Sequence, residues 1–313
     1  MSTRILLRWL LVVQAACALG FAWAFVGSGV IASWPLALLA GAGVVLLVRV
    51  LITANNFVMT ARFSSITPHD FQLGYGARLR LFAEEFMATL LQSSWFMPKA
   101  SARERIYDDA RLPPVLLIHG YGCNSGYWSH LTPLLDASHI SHASLDLEPI
   151  LGAIDDYVPL VARAVESLCL KTNAPKVIIV AHSMGGLVAR AYMRDHGCSC
   201  MAHIFTLGTP HHGTSLANMG IGRNAVQMRR ARGSAEAPES AWLRELAAAE
   251  NAETRALITS LYTHHDNIVA PQTSSVLPGA RSIEFGGIGH VAMGRNPRIL
   301  SRLMQEIAIM FTR

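Results

Sequence analysis

The sequence predicts an α/β fold in which a mostly parallel sheet carries helices on both faces, preceded by an N-terminal transmembrane helical hairpin. Two observations support this prediction. The N-terminal part of the chain is dominated by a long uncharged, apolar run. From Leu112 onward, short and continuously apolar segments alternate with helical segments, which is typical of a parallel sheet buried on both faces. The 313 residues suffice for one large domain and an appendage.

The apolar run predicts two membrane spans. No Asp, Glu, Lys or Arg occurs from Trp9 to Val48, and this run is about twice the roughly 20 residues that one helical span needs. The segment Gly27–Gly29 marks a turn inside it. We therefore expect spans near residues 9–26 and 31–51, within a hairpin that covers residues 1–53.

A cleaved signal peptide is the alternative interpretation of the N-terminus. Arg4 and Arg8 precede the apolar run, and Ala22-Trp23-Ala24 resembles a cleavage site. The run is, however, longer than the roughly 7–15 apolar residues of a signal peptide. The hairpin is the better interpretation, and whether Ala22-Trp23-Ala24 is ever cleaved stays open.

The arginines predict the orientation of this hairpin. Arg4 and Arg8 precede the first span, Arg49 and Arg62 lie at or after the second, and the turn between the spans has none. Because cytoplasmic flanks carry the excess of positive charge, both flanks are expected in the cytoplasm. The bulk of the chain should then face the cytoplasm.

Residues 54–111 are expected to form an amphipathic connector. Within "ARLRLFAEEFMATLLQSSWFM", apolar side chains recur at helical spacing. They are Leu79, Phe82, Phe86, Leu90 and Leu91. This helix either packs on the following domain or lies on the bilayer. We expect the hairpin and the connector only to hold a complete domain at the membrane. A chain starting near Ser101 should then fold and keep the activity of that domain on soluble substrates.

Residues 112–313 are expected to form the α/β domain. The predicted strands are "PPVLLIHG", "SHASLDL", "KVIIVAHS", "MAHIFTLGTP", "RALITSLYTHHD" and "ARSIEFGG". The predicted helices are Ser125–Leu135, Ile154–Leu170, Met184–Arg194 and Pro297–Phe311. In such folds the functional site lies beyond the carboxyl ends of the strands.

The stretch "VIIVAHSMGG" predicts a nucleophilic serine. Ser183 ends a buried strand and a helix follows at once, so its hydroxyl should be pushed out at the sheet edge. Such a turn accepts only small residues two positions before and after the serine, here Ala181 and Gly185. A structural serine at a strand-to-helix joint is the alternative.

Backbone amides near Ser183 are the expected oxyanion hole. The motif "LLIHGYGCNSGYW" ends a strand, and the chain that follows can present N–H groups to an oxyanion. We assign the hole to the amides of Tyr121 and Met184. His119 and His182 flank the same site, and we expect them to orient loops by hydrogen bonding rather than to take part in catalysis.

The base and its carboxylate are expected in the chain order Ser, Asp, His. His290 stands alone in "GGIGHVAM", after the last strand and before the final helix, and Asp266 ends the preceding strand in "THHDNIVAP". Such a carboxylate can hold the imidazole in its working tautomer. Among the other histidines after Ser183, His211 and His212 lie in "GTPHHG", right after a strand, and His264 and His265 precede Asp266. His290 is favoured because a catalytic imidazole must reach the serine from a loop over the sheet edge.

With these motifs in place, the chain from about Pro113 onward resembles the α/β-hydrolase superfamily. The segments "HGYG", "AHSMGG", "TLGTPHHGT", "DNIVAP" and "GIGH" are most similar to bacterial triacylglycerol lipases and related esterases. The resemblance implies an acyl-ester hydrolase with Ser183, Asp266 and His290 as its triad. With the hairpin, it implies a lipid or other hydrophobic ester at the bacterial inner membrane. Some such lipases hold calcium, but no matching carboxylates are found in this sequence.

The segment Thr214–Glu250 interrupts the alternation of strands and helices. It places Met219, Ile221, Val226 and Met228 among arginines. Lipase-like enzymes carry a lid at such an excursion, whereas the plainer interpretation is a surface insertion.

Other functions stay open. A thioesterase or acyltransferase would use the same triad, and a catalytically silent hydrolase fold would bind a lipid or a partner instead. No cofactor or metal is expected, since Cys198-Ser199-Cys200 lacks two further zinc ligands at readable spacing. The net charge of +5 suits an anionic membrane surface better than nucleic acid.

Overall fold

A computed structural model describes residues 2–231 and 239–310 of the chain. In this described part, seven strands form one sheet. In chain order they are β1 Glu104–Arg105, β2 Val115–Ile118, β3 His142–Leu145, β4 Val177–His182, β5 Met201–Leu207, β6 Ile258–Thr263 and β7 Arg281–Phe285.

The sheet has the strand order β1-β3-β2-β4-β5-β6-β7. Every pair is parallel except β1 with β3, which is antiparallel. The central strands β2, β4 and β5 are buried almost throughout. The predicted fold, a mostly parallel sheet covered on both faces, is confirmed.

Alternate residues of the central strands feed two separate cores. Leu116 and Ile179 belong to the core on one face of the sheet, and Leu117 and Ile178 to the core on the other. This period of two is the geometry of an extended chain, and strands that face two cores must be apolar at every position. The continuous apolar runs in the sequence have this physical cause.

The helices are named in chain order. They are α1 Thr3–Gly27, α2 Trp34–Ala61, α3 Tyr75–Leu91, α4 Met97–Lys99, α5 Thr132–Ala137, α6 Val158–Thr172, α7 Met184–His196, α8 Arg223–Gln227, α9 Ala241–Ala248, α10 Ala252–Ala256 and α11 Pro297–Ile309. The helix expected over Ser125–Leu135 is instead a 3₁₀ turn, Ser125–Trp128, followed by the short α5. Pro133 starts α5 anew at its first turn.

The N-terminal helices α1 and α2 pair as a hairpin, as the sequence predicts. They are 25 and 28 residues long, and both are long and apolar enough to cross a membrane. A signal sequence near an N-terminus would meet the same criteria. Small buried residues line the seam between them, namely Ala22, Ala37 and Gly41. A side chain at Gly41 would collide with the backbone of Ala18, so glycine allows the two helices to approach closely.

The connector helix α3 uses two faces. Phe82, on the predicted apolar stripe, packs against Phe57 of α2 with ring centroids 5.9 Å apart. The opposite face, with Leu81, Glu85 and Ala88, is buried. Ala88 belongs to the same core as β2 and β4. The helix therefore packs on the α/β domain and on the hairpin at once.

The connector is also part of the sheet and of its surroundings. β1 lies within residues 54–111, and Asn124 Nδ2 donates a hydrogen bond of 2.8 Å to the carbonyl of Met97. The backbone of Met97 packs so closely on Gly126 that a Cβ there would collide with it. This differs from the expectation that the domain is complete from residue 112 and that a chain starting near Ser101 would still work. The sequence pattern of the connector did not reveal these contacts.

Candidate active site

Ser183 lies between β4 and α7 in a strained backbone conformation. Its φ and ψ are 54° and −126°, in a region that residues with a side chain rarely adopt. A strained turn persists only where surrounding contacts determine it, and such turns are concentrated at functional sites. Its N–H donates to the carbonyl of Leu207 at 2.9 Å, and its own carbonyl accepts from Thr209 Oγ1 at 2.8 Å. The end of β5 therefore fixes the turn.

Small residues make this turn possible. A Cβ at Gly185 would lie 2.6 Å from the carbonyl oxygen of His119, and one at Gly186 would lie 2.8 Å from Thr209 Cγ2. Ala181 is fully buried in the sheet. The tight packing accounts for the pattern of alanine, serine and two glycines.

His290 and Asp266 form a buried pair. His290 Nδ1 donates to Asp266 Oδ2 at 2.7 Å, and both residues are less than 5% exposed. The other oxygen of Asp266 accepts from the amides of Ile268 and Val269 at 2.8 and 2.7 Å. A carboxylate held in this way leaves Nε2 of His290 as the unprotonated nitrogen, the tautomer that a general base needs.

The surroundings raise the pKa of His290. Burial by itself lowers this pKa, because it disfavours the imidazolium. The charge of Asp266, its hydrogen bond to His290 and the charge of Glu85 act in the opposite direction and outweigh burial. The net pKa lies above the ordinary value of 6.5.

Ser183 and the His290–Asp266 pair lie at one place: the Ser183 amide donates to the carbonyl of Leu207, next to Gly208, and the His182 and His290 rings are 4.6 Å apart. Two glycines pack closely there. A Cβ at Gly120 would lie 2.8 Å from Ser183 Cβ. A Cβ at Gly208, just after β5, would lie 3.1 Å from Asp266 Oδ2 and 3.2 Å from His290 Nδ1. Among the hydrogen bonds of the described residues, none joins Ser183 Oγ to His290. Such contacts often tighten only when a substrate is bound.

The two amides expected to form an oxyanion hole flank Ser183. Met184 follows it as the first residue of α7, and Tyr121 follows Gly120. Over residues 2–231 and 239–310, neither amide donates a hydrogen bond within the chain. Both are therefore available to a ligand oxygen. The side chain of Tyr121 donates to the carbonyl of Ile221 at 2.8 Å, which ties this loop to the Thr214–Glu250 segment.

The neighbouring histidines make structural contacts. His119 Nε2 accepts from the amide of Leu147 at 2.9 Å, and its Nδ1 lies 2.8 Å from the carbonyl of Gly120. His182 stacks on Tyr127 with ring centroids 4.0 Å apart. Burial and the charge of the nearby His290 lower the pKa of His182 well below its usual value, so this ring is neutral.

A second acidic residue near the end of the sheet has its own partners. Glu284, on β7, accepts from His264 Nε2 at 2.9 Å and from the Tyr262 hydroxyl at 3.1 Å. It is half exposed, whereas Asp266 is buried. The structure thus brings His290 together with Asp266 and leaves Glu284 with His264.

Sequence reasoning missed three polar residues that support the pair. Asn267 Oδ1 accepts from the amide of His290 at 3.0 Å, and Gln272 Nε2 donates to the carbonyl of Asp266 at 2.9 Å. Glu85 of α3 accepts from the two amides that follow His290. Asn267 directly follows Asp266 in the chain, and this position is a signal that could have identified it. Glu85 follows Glu84 and looks like part of a solvated helix face.

The Thr214–Glu250 segment presents apolar side chains near the site, although its residues 232–238 lie outside the described part. Met219, Ile221 and Val226 are each about half exposed or more. We refer to these three residues as the apolar patch. Met228, expected to belong with them, is buried in the core instead.

The end of α2 reaches this region. Thr60 Oγ1, in its last turn, donates to the carbonyl of Asn267 at 2.7 Å. Asn267 in turn accepts from the amide of His290. The second N-terminal helix is therefore two contacts away from the candidate base.

The sequence matches a protein-family model. Residues 115–312, more than half of the chain, match the model described as the alpha/beta hydrolase family. This range holds Ser183, Asp266 and His290 and excludes the hairpin and the connector helix.

One curated relative matches a shorter stretch. The pimeloyl-(acyl-carrier protein) methyl ester esterase of Klebsiella pneumoniae strain 342 is 30% identical over 96 residues. The match covers 31% of this chain and 37% of that relative, well under two thirds of its length.

Solved structures share the fold. The mature lipase BlEst2 of Bacillus licheniformis is 16% identical, with a TM-score of 0.56 over 66% of this chain and 97% of that one. Lipase B of Aspergillus fumigatus is also 16% identical, with a TM-score of 0.53 over 64% of this chain and 53% of that one. At these identities the similarity establishes the fold alone.

Proposed function

The chain belongs to the alpha/beta hydrolase family, and from that premise we propose that it hydrolyses carboxylic esters through an acyl-enzyme formed on Ser183. One observation carries the proposal. The buried His290–Asp266 pair and the strained Ser183 turn lie at the same edge of the sheet, related through Leu207–Gly208 and through the contact between the His182 and His290 rings. Serine, base and carboxylate in one place is the arrangement that acyl transfer requires.

The mechanism follows from the roles of these atoms. His290 Nε2 takes the proton of the Ser183 hydroxyl as its oxygen attacks the acyl carbonyl, and Asp266 stabilises the imidazolium that forms. The amides of Tyr121 and Met184 hold the oxyanion. His290 then gives the proton to the leaving alcohol. Water attacks the acyl-enzyme while His290 takes its proton, and as the bond from the acyl carbon to Ser183 Oγ breaks, His290 returns the proton to Oγ and the acid departs.

The substrate we propose is a lipid or another hydrophobic ester. The apolar patch exposes large apolar side chains, which is typical of a surface that contacts a hydrophobic ligand or a membrane. Tyr121 hydrogen-bonds to the backbone of Ile221 within this patch. The contact from Thr60 to Asn267 puts the end of α2 beside the same site. An ester that resides in a bilayer would reach the serine from this side.

The membrane placement is part of the same proposal. Residues 1–53 would form a two-span anchor in a bacterial inner membrane. The connector, residues 54–111, would pack on the catalytic domain, residues 112–313, in the cytoplasm. The arginine distribution supports this orientation. The hairpin helices leave most of their large apolar side chains exposed, which suits contact with lipid tails rather than water.

The test is labelling of the full-length chain with a fluorophosphonate in detergent, together with a panel of ester and thioester substrates. We expect labelling and ester hydrolysis, and we expect both Ser183→Ala and His290→Ala to abolish them, with kcat down by about 10⁶-fold. Ser125→Ala, in the same domain, is the control and should label normally.

Three other outcomes have distinct meanings. A serine that stays unlabelled in folded protein would contradict the proposal and favour a silent hydrolase fold. Labelling with turnover of thioesters alone would favour a thioesterase. Transfer to an added alcohol in preference to water would favour an acyltransferase.

A further inference from the structure

The connector helix α3 places a fully buried carboxylate against the loop of the candidate base. Glu85 accepts hydrogen bonds from the amides of Val291 and Ala292, at 3.0 and 2.9 Å. These two residues follow His290 directly. On its other side the carboxylate packs on Gly289, where a Cβ would lie 2.6 Å from Glu85 Cδ. Glu85 therefore contacts the residue before His290 and the two residues after it.

A carboxylate at this position needs an explanation. Burying an ionised group costs free energy unless its oxygens are hydrogen-bonded or paired. In the described ranges, no Lys or Arg forms an ion pair with Glu85, and its two oxygens are occupied by the two amides. A glutamine at this position could accept a hydrogen bond from one of the two amides and would cost less free energy to bury. Packing alone therefore does not explain why the residue is a glutamate.

We propose that Glu85 is a positioning residue for His290, which fixes the loop of the base against the connector helix and supplies a second negative charge beside Asp266. The proposal rests on the proposed function, because it gives His290 the role of general base. Glu85 would touch neither substrate nor reacting atoms and would act through His290.

The charged and titratable groups that face His290 come from three parts of the fold. They are Asp266 from the loop after β6, His182 from the end of β4 and Glu85 from α3. Tyr127, from the 3₁₀ turn after β2, stacks on His182. Burial lowers the pKa of His182 and raises that of Tyr127, so neither carries charge beside the imidazole. Burial also raises the pKa of Glu85, and the net shift is upward; its two backbone hydrogen bonds favour the carboxylate form and reduce that shift.

The direction in which the charge of Glu85 changes the pKa of His290 follows from electrostatics. A nearby carboxylate stabilises the imidazolium, so the charge of Glu85 raises the pKa of His290. The base works only when it is neutral. Removing the charge should therefore move the acid limb of kcat/KM to lower pH, even while loss of positioning lowers kcat.

The experiment uses the full-length chain in detergent and a short, water-soluble ester. Three variants are compared with the natural sequence: Glu85→Gln, Glu85→Asp and, as the matched control, Glu84→Gln, since Glu84 is the exposed neighbour on the same helix. For each, kcat, KM, the pH profile of kcat/KM and the melting temperature are measured.

We expect Glu85→Gln to lower kcat by about 10- to 100-fold with little change in KM, the equivalent of one hydrogen bond to a charged group. Its acid limb should move to lower pH by about half a unit to one unit. Glu85→Asp keeps the charge and loses reach, so kcat should fall while the acid limb stays in place. Glu84→Gln should match the natural chain throughout.

Either of two results would overturn the proposal. One is a folded Glu85→Gln variant with unchanged kcat and an unchanged acid limb. The other is failure of both Glu85 variants to fold, which would assign the carboxylate to the stability of the connector rather than to the base. If the natural chain itself hydrolyses no ester, the proposed function fails, and that result is distinct from both.

Discussion

Two regions of the molecule meet at His290, and they differ in how they reach it. The sheet edge supplies Ser183, Asp266 and His290 from beyond the ends of β4, β6 and β7, in an order that local sequence patterns mark. The connector supplies Glu85 from a helix far away in sequence, through hydrogen bonds about 3 Å long. In the first region, the strand order of the sheet brings the candidate site residues together. In the second, the packing of one helix brings Glu85 to the same place. A candidate site can thus depend on a segment that carries no motif.

Deleting the two N-terminal parts separately gives the largest expected effect. A chain starting at Phe63 keeps α3 and loses α1 and α2, and with them the contact from Thr60 to Asn267. Because Glu85 and the strands stay in place, we expect soluble-ester hydrolysis within about 10-fold of the full-length rate. A chain starting at Ser101 also loses Glu85, Ala88 and Met97, which fill a core and hold loops. We expect it to lose all activity and its cooperative melting transition.

Hydrolysis of a short ester in detergent and thermal melting by circular dichroism distinguish the two chains. A chain from Ser101 that hydrolyses at the full-length rate would mean that the connector contributes nothing to the site. Equal failure of both chains would instead make the hairpin part of the folding unit.

Exchanging the carboxylate at the sheet edge is the second test. Asp266→Asn should lower kcat by about 10⁴-fold, because the asparagine amide would stabilise the wrong imidazole tautomer. Glu284→Gln is the control and should remain close to the natural rate, since Glu284 pairs with His264 and Tyr262. Initial rates on a soluble ester check both. The reverse pattern would mean that Glu284, rather than Asp266, orients the base.

Serine substitutions in the apolar patch give the smallest effect. Changing Met219, Ile221 and Val226 together to serine should spare soluble esters and slow hydrolysis of long-chain esters in vesicles by about 10-fold, through a weaker apparent affinity. Leu170→Ser removes another exposed apolar side chain, on α6, and is the matched control. A patch variant with full vesicle activity would show that the patch does not meet the lipid.

The sequence was informative where a local pattern has one physical meaning. Continuous apolar strands predicted a sheet buried on both faces, and a serine between Ala181 and Gly185 predicted the strained turn that the structure has. Asp266 and His290 followed from their positions after strands. Each of these features has a local mark in the sequence, namely an apolar run, a small-residue turn or a position just after a strand.

The sequence was uninformative where a residue's environment comes from distant contacts. The apolar stripe of α3 was recognised, but its opposite face, with Glu85 and Ala88, holds the domain contacts. Met228 looked like a lid residue and is buried. Neither the burial of Glu85 nor that of Met228 follows from periodicity. The spacing of residues along a helix does not show whether solvent or another element covers a given side chain.

The two-residue strand β1 has a consequence for how copies of the chain behave toward one another. β1 covers the outer side of β3, held there by hydrogen bonds from Arg103 to Ser144 and from Tyr107 to Ser141. A short edge strand with exposed, oppositely charged side chains is a poor template for a strand from another molecule. A shortened chain that begins at residue 112 would lack β1 and would leave the outer edge of β3 unpaired. Two such chains could then pair through β3, and this self-association would compete with folding.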